Sequence, residues 1–259
     1  MSSDVTPSDP TVSQPGTRLP LTIMASPNHG ERLGAVPTIL VLHYTGMPDG
    51  ASALAWLCNP VSQVSCHYVV EQDGGILQLV AEDRRAWHAG RSAWRGLTDL
   101  NSASIGIEIV NAGHDGGLPD YPAAQIAAVT DLCRDIVARY AIRPDNVLAH
   151  SDIAPGRKQD PGERFPWSTL AEAGVGLWVL PRPARSGPCL RIGDAGAPVE
   201  TIQRKLAAFG YGLPITGSFD TATEAVVRSL QLHFRPERVD GVADPATLDT
   251  LDDLLAMLA

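Results

Sequence analysis

The run Pro37 to His43, PTILVLH, is apolar up to its final residue. Such a run predicts a strand central in a sheet, because both of its faces need cover. Cys66 to Glu71 (CHYVVE) and Ile76 to Val80 (ILQLV) predict two more strands. Gln72-Asp73-Gly74-Gly75 joins them, and an Asp-Gly turn between such runs signals a hairpin. In Ser104 to Asn111 (SIGIEIVN) the alternation puts Ile105, Ile107 and Ile109 on one face. Glu108 shares the other face with Gly106 and Val110. From about Pro122 to Tyr140, Ile126, Val129, Cys133, Ile136 and Tyr140 recur at three- and four-residue steps, which predicts an amphipathic helix on the sheet. Arg143-Pro144-Asp145 ends it and feeds a short strand, Asn146 to Ala149. That strand delivers His150 to a Gly/Pro-rich loop carrying Lys158 and Asp160. Ser52 to Leu57 begins a short helix with Asp49 or Ser52 as its cap. Ser26 to Gly30 reads as a turn cluster, and Ala86 to Gly90 as the start of a loop.

The pattern divides the chain. Residues 1–20 are Ser/Thr/Pro-rich and read as a disordered tail. Residues 21–177 hold the strands and form an α/β domain. From Trp178 to Pro188 the composition turns to Pro, Arg, Ser and Gly, a linker over residues 178–188. Residues 189–259 then form a small three-helix domain, with helices over Pro198–Phe209, Thr221–Phe234 and Pro245–Leu258. Val199, Ile202, Leu206 and Phe209 line one face of the first.

A net charge of −9 and a pI near 5.2 argue against non-specific nucleic-acid binding and against an anionic membrane surface. No apolar run reaches the ~20 residues of a membrane span. Met1 to Pro20 shows no basic and apolar signal-peptide pattern, so the expected compartment is the cytoplasm, with the periplasm as the alternative. Cys58, Cys66, Cys133 and Cys189 form no C-x-x-C pair, which argues against a thiolate zinc knuckle. Reduced thiols are expected in the cytoplasm, and a Cys58–Cys66 disulfide if the chain is exported.

Two strand-end histidines, His43 and His150, and the loop carboxylate Asp160 make a three-ligand zinc site with a fourth position for water. Each also fits a plainer role: a hydrogen-bonded histidine, or a turn-forming aspartate before Pro161. Glu108 costs several kcal/mol if buried unpaired. It is either a general base toward water or half of an ion pair. Lys158 is either an oxyanion stabiliser or a solvated loop lysine. His67 and His88 are candidates for substrate contact, whereas His29, His114 and His233 are expected to do nothing specific.

Six motifs occur in order: SPNHGER from Ser26, HYTG from His43, SCHYVV from Ser65, AWHAG from Ala86, SIGIEIVN, and AHSDIAPGRKQDPG ending at Gly162. On these the chain resembles the type 2 N-acetylmuramoyl-L-alanine amidases, relatives of the peptidoglycan recognition proteins, from about Ser26 to Trp167. The tail from Leu190 resembles a peptidoglycan-binding-like three-helix domain, whose customary aromatic–Gln pair is Leu230–Gln231 here. The resemblance implies an α/β fold with a mixed central sheet flanked by helices and a zinc ion in a groove. It implies His43, His150 and Asp160 as ligands, Glu108 as acid/base residue and Lys158 as transition-state stabiliser. Trp87, His88 and Asn111 are implied to line the groove. The implied reaction is hydrolysis of the lactyl–L-alanine amide, with peptidoglycan fragments, anhydromuramyl or muramyl peptides, as partners in cell-wall recycling. The alternatives are an exported amidase remodelling intact wall and a non-catalytic peptidoglycan receptor. The filled ligand positions favour the enzyme.

Overall fold

The computed structural model describes residues 16–183 and 185–258. Most of the expected tail, residues 1–15, lies outside them. Residues 16–20 do not continue a tail: Thr17 is buried and Leu19 packs on the main core.

The strands are β1 (Thr22–Ile23), β2 (His29–Glu31), β3 (Ile39–Tyr44), β4 (Tyr68–Val70), β5 (Ile76–Gln78), β6 (Arg84–Ala86), β7 (Ser104–Ile109) and β8 (Val147–Ala149). The helices are α1 (Gly50–Leu57), α2 (Leu100–Ala103), α3 (Ala123–Tyr140), α4 (His150–Ile153), α5 (Trp167–Glu172), α6 (Ala197–Phe209), α7 (Thr221–Phe234) and α8 (Pro245–Ala256). Six strands form one mixed sheet in the order β1-β5-β4-β7-β3-β8. Strands β4, β7, β3 and β8 run parallel, and β5 turns back antiparallel to β4 through the Asp73-Gly74 turn. Gly74 sits at φ +92°, a left-handed value that favours glycine there. Asp49 caps α1, accepting from Ser52 N at 2.7 Å. His29 and Gly30 do not stay in a turn: they enter β2, which pairs with β6. His150 also departs from expectation, opening the short helix α4 before the loop begins.

Strand β3 is buried along Ile39 to His43, as its unbroken apolar run requires. Leu40, Leu42, Ile105, Ile107 and Ile109 point to one face, where α3 covers them with Ile126, Val129, Cys133 and Ile136. Ile39, Val41 and Leu148 point to the other face. There they join Trp94 and the apolar sides of α6, α7 and α8 in one continuous cluster. Val199, Ile202, Leu206 and Phe209 lie in that cluster as the helical periodicity requires. Burying each large side chain contributes about 1.5–3 kcal/mol, so the C-terminal helices and the sheet stabilise each other.

Trp178 packs on both clusters and Val179 is buried. Arg182 and Arg185 clamp Asp253 and Asp249 of α8, so the Pro/Arg-rich segment lies along that helix. Leu230 is buried in the C-terminal core, and Gln231 holds the loop at Asp240–Val242 through bonds from both ends of its amide. Gln203 secures the loop at Thr216–Ser218 in the same way. The Leu230–Gln231 pair therefore builds the fold and presents no surface to a sugar.

Candidate active site

Sheet register assembles the site. His43 on β3 lies opposite Glu108 on β7, and Glu108 lies opposite Val69 on β4. On the other side Leu42 pairs with Ala149, which puts His150 one step further along, level with His43. Partners across parallel strands share a face, so Glu108, His43 and His150 form one row. The row stands at the carboxyl ends of the parallel strands, where open α/β sheets present their sites. Asp160 reaches it from the loop after α4, and its carbonyl accepts from Ser151 N at 3.1 Å.

The three candidate ligands converge. His43 Nδ1 is 2.8 Å from His150 Nδ1 and 3.1 Å from Asp160 Oδ2, and His150 Nδ1 is 2.9 Å from that same oxygen. All three side chains are buried. The surrounding bonds decide where the protons are. Ser104 Oγ donates to the Leu100 carbonyl and so accepts from His88 Nε2 at 3.1 Å. His88 Nδ1 is then an acceptor, and it takes the proton of His43 Nε2 at 3.0 Å. His150 Nε2 donates to the Ala89 carbonyl at 3.2 Å. Both Nδ1 atoms are left with lone pairs, aimed with a carboxylate oxygen at one point. That donor set repels itself until a cation sits there. Two imidazoles and a carboxylate with outer partners fixing each tautomer fit a zinc centre with an open position.

The electrostatics keep the His43 imidazole ready to ligate. Burial, then the neighbouring His150, holds the His43 imidazole down to about 4. Burial and the adjacent His43 keep His88 well below its ordinary value. Neutral imidazoles and an ionised carboxylate are the forms a metal needs. Glu108 behaves oppositely. Burial, then the negative Asp160, pushes its carboxyl well above the ordinary value, with Lys158 opposing. Its Oε2 is enclosed and has no hydrogen-bond partner among the described residues.

A cavity of about 300 Å³ opens beside this row, lined by Glu108, His150, Asp160, Lys158, Trp56 and Trp87 among others. Trp87 and Lys158 also line the neighbouring depression with Arg157. His88 touches the cavity, yet its two ring nitrogens are engaged by His43 and Ser104. Asn111 does not line it. The side chain is buried and bridges Pro119 O and Gly113 N, which shapes the loop after β7. His67 is buried behind His88, accepting from Gly106 N at 3.0 Å, and is not part of the cavity lining. His114 links Tyr44 to Glu163, and His233 binds Asp152, so neither is idle.

Sequence reasoning missed several supports. Asn28 Nδ2 ties together Asn59 O and Val64 O, each at 2.8 Å. Arg32 is buried and donates to Glu82 O and Ser102 O. Burial pushes its guanidinium down to about 10. Asn101 Oδ1 accepts from both His88 N and Ala89 N, fixing the strap that carries His88. Buried polar side chains of this kind leave no periodic trace in sequence.

Fold and site define a class: a mixed-sheet protein with a two-histidine, one-carboxylate cluster at its strand ends and a glutamate beside it. The family profile described as N-acetylmuramoyl-L-alanine amidase matches residues 33–163, and one described as a putative peptidoglycan binding domain matches residues 195–251. The N-acetylmuramoyl-L-alanine amidase AmiD of Escherichia coli (strain K12) is 42% identical over 231 residues, spanning 84% of this chain and 82% of AmiD. The 1,6-anhydro-N-acetylmuramyl-L-alanine amidase AmpD of the same organism is 37% identical over 150 residues, 51% of this chain and 79% of AmpD. AmpDh3 from Pseudomonas aeruginosa, solved in complex with anhydromuramic pentapeptide, superposes with a TM-score of 0.72 at 32% identity, covering 95% of this chain and 99% of that one. AmiD, solved with anhydro-N-acetylmuramic acid-L-Ala-D-gamma-Glu-L-Lys, gives a TM-score of 0.73 at 39% identity over 86% of this chain and 91% of AmiD. This chain belongs to the N-acetylmuramoyl-L-alanine amidase family.

Proposed function

We propose that the protein is a zinc-dependent amidase that hydrolyses the lactyl–L-alanine amide of anhydromuramyl and muramyl peptides during cell-wall recycling. The convergence of His43 Nδ1, His150 Nδ1 and Asp160 Oδ2 beside Glu108 carries this reading. Relatives solved with anhydromuramyl peptides support the substrate class.

His43, His150 and Asp160 would hold the zinc ion. Zinc bound there supplies Lewis acidity for carbonyl polarisation and water activation. Glu108 would take a proton from the attacking water, and burial beside Asp160 raises its affinity for that proton. Water oxygen adds to the lactyl carbonyl carbon, and the Lys158 ammonium stabilises the oxyanion, an effect of about 3–4 kcal/mol for a good donor. Glu108 then hands its proton to the alanine nitrogen as the C–N bond breaks. Free stem peptide and anhydromuramic acid, or muramic acid, leave.

The cytoplasm is our proposed compartment. The four cysteines are unpaired, which suits a reducing environment. Fractionation of cells expressing the tagged protein tests it, and recovery from the periplasm or envelope refutes it. The reaction is tested by mass spectrometry of zinc-loaded protein incubated with anhydromuramyl tripeptide. Release of free tripeptide is expected. An intact substrate after prolonged incubation overturns the assignment.

A further inference from the structure

We propose that the C-terminal helical unit is part of the support of the metal centre, holding the turn that carries His150 through the buried carboxylate of Asp152. The inference rests on the metal site proposed above. Asp152 stands two residues beyond His150 in α4 and is wholly buried. Its Oδ2 accepts from Ala149 N at 2.8 Å, closing its own turn. The other two donors come from the C-terminal unit. His233 Nδ1 on α7 donates to Oδ2 at 2.6 Å, and the Tyr211 hydroxyl, just past α6, donates to Oδ1 at 2.8 Å.

A carboxylate buried without partners is strongly unfavourable, so these charge-assisted bonds fix where Asp152 sits. The donors themselves are held. His233 stacks between Trp167 at 3.7 Å and Phe234 at 3.8 Å between ring centroids. Tyr211 meets the Trp94 ring edge-on at 5.1 Å. Helix α4 is a single turn, too short to hold its shape by its own hydrogen bonds. Yet it carries His150, and Ser151 N within it binds the Asp160 carbonyl. Two of the three ligands therefore take their position from a turn pinned by the C-terminal helices. Adhesion between the units does not need this carboxylate, because the apolar cluster already spans them.

The test uses the full chain and measures zinc affinity by competition with a chromophoric chelator, with thermal unfolding alongside. His233→Phe keeps an aromatic ring in the stack and removes the donor. His233→Asn loses the stack but can place an amide nitrogen where Nδ1 stands. Both variants lose stability. Zinc affinity separates them: a fall of about 10–100-fold is expected for His233→Phe and less than about threefold for His233→Asn, the scale of outer-partner effects at metal sites. Cobalt-substituted His233→Phe should also show an altered visible spectrum. Equal losses that track unfolding temperature, or no loss in either variant, overturn the proposal. If His233→Phe does not fold, Tyr211→Phe removes one hydroxyl and keeps its ring on Trp94. Unchanged zinc affinity in folded Tyr211→Phe then overturns the proposal. Failure of the unaltered protein to bind zinc refutes the metal site itself, a result distinct from these.

Discussion

Gly106 stands directly beneath the imidazole of His88. A Cβ at position 106 would lie 2.5 Å from His88 Cγ and Nδ1 and 2.7 Å from Cδ2. Contact near 3.5 Å is ordinary for such atoms, so the ring must retreat by about 1 Å. The crowded Nδ1 is the atom that accepts from His43 Nε2 at 3.0 Å. A retreat of that size breaks the bond and frees the His43 tautomer. Gly106→Ala is therefore expected to weaken zinc binding by about 10–100-fold, or ~1.4–2.7 kcal/mol. Overpacking should cost a further ~1–3 kcal/mol of folding stability. Chelator competition reads the first quantity and urea unfolding of the metal-free protein the second. His88→Ala removes both the ring and the bond, so adding Gly106→Ala to it should cost little more. The two substitutions then show a coupling on the scale of the single effects. Additive losses, or normal zinc affinity in a folded Gly106→Ala protein, would refute the tautomer argument.

Glu108→Gln should retain zinc and fold but lower kcat by at least ~100-fold, read by peptide release; near-normal turnover removes Glu108 from the mechanism. Lys158→Ala should lower kcat with zinc affinity unchanged, and a change confined to KM would assign Lys158 to binding alone. His150→Ala should lose metal and activity together, checked by elemental analysis. Saturating zinc at about a hundredfold its Kd should stabilise the native protein by ~2.7 kcal/mol, measured by thermal unfolding with and without chelator. Acid should loosen the C-terminal unit. Burial would raise the Asp244 carboxyl, but the Thr247 amide and hydroxyl and the Arg235 guanidinium outweigh that and lower it. Its stabilisation is thus complete above the unfolded value near ~4 and lost as pH falls through the lower folded value. Asp244→Asn should flatten that part of the stability curve, and an unchanged acid limb would exclude Asp244 as its source.

Local pattern in the chain was enough for the longer elements and for the chemistry at their ends, though not for β1, β2, β6, α2, α4 and α5. The apolar run before His43, the alternation around Glu108 and the short strand before His150 each encode a strand, because burial of side chains at period two is a local property. The helices of the C-terminal unit were legible for the same reason, at period 3.6. The order of the strands was not. Only the sheet register sets Glu108, His43 and His150 in one row, since two lie on strands and the third just past the end of another, far apart in the chain. The hydrogen-bond chain from Ser104 through His88 to His43 was likewise invisible, and it gives His88, which also lines the cavity, a part in orienting His43. Asn111 and His233 show the same limit: a polar residue in sequence carries no sign of which distant donor or acceptor will meet it. The packing of the C-terminal helices onto the site-bearing face, and the bonds from Tyr211 and His233 to Asp152, exist only once the two units share a core. Periodicity specifies which face of an element is apolar, whereas the partner of that face, and of each buried polar atom, is decided by three-dimensional packing.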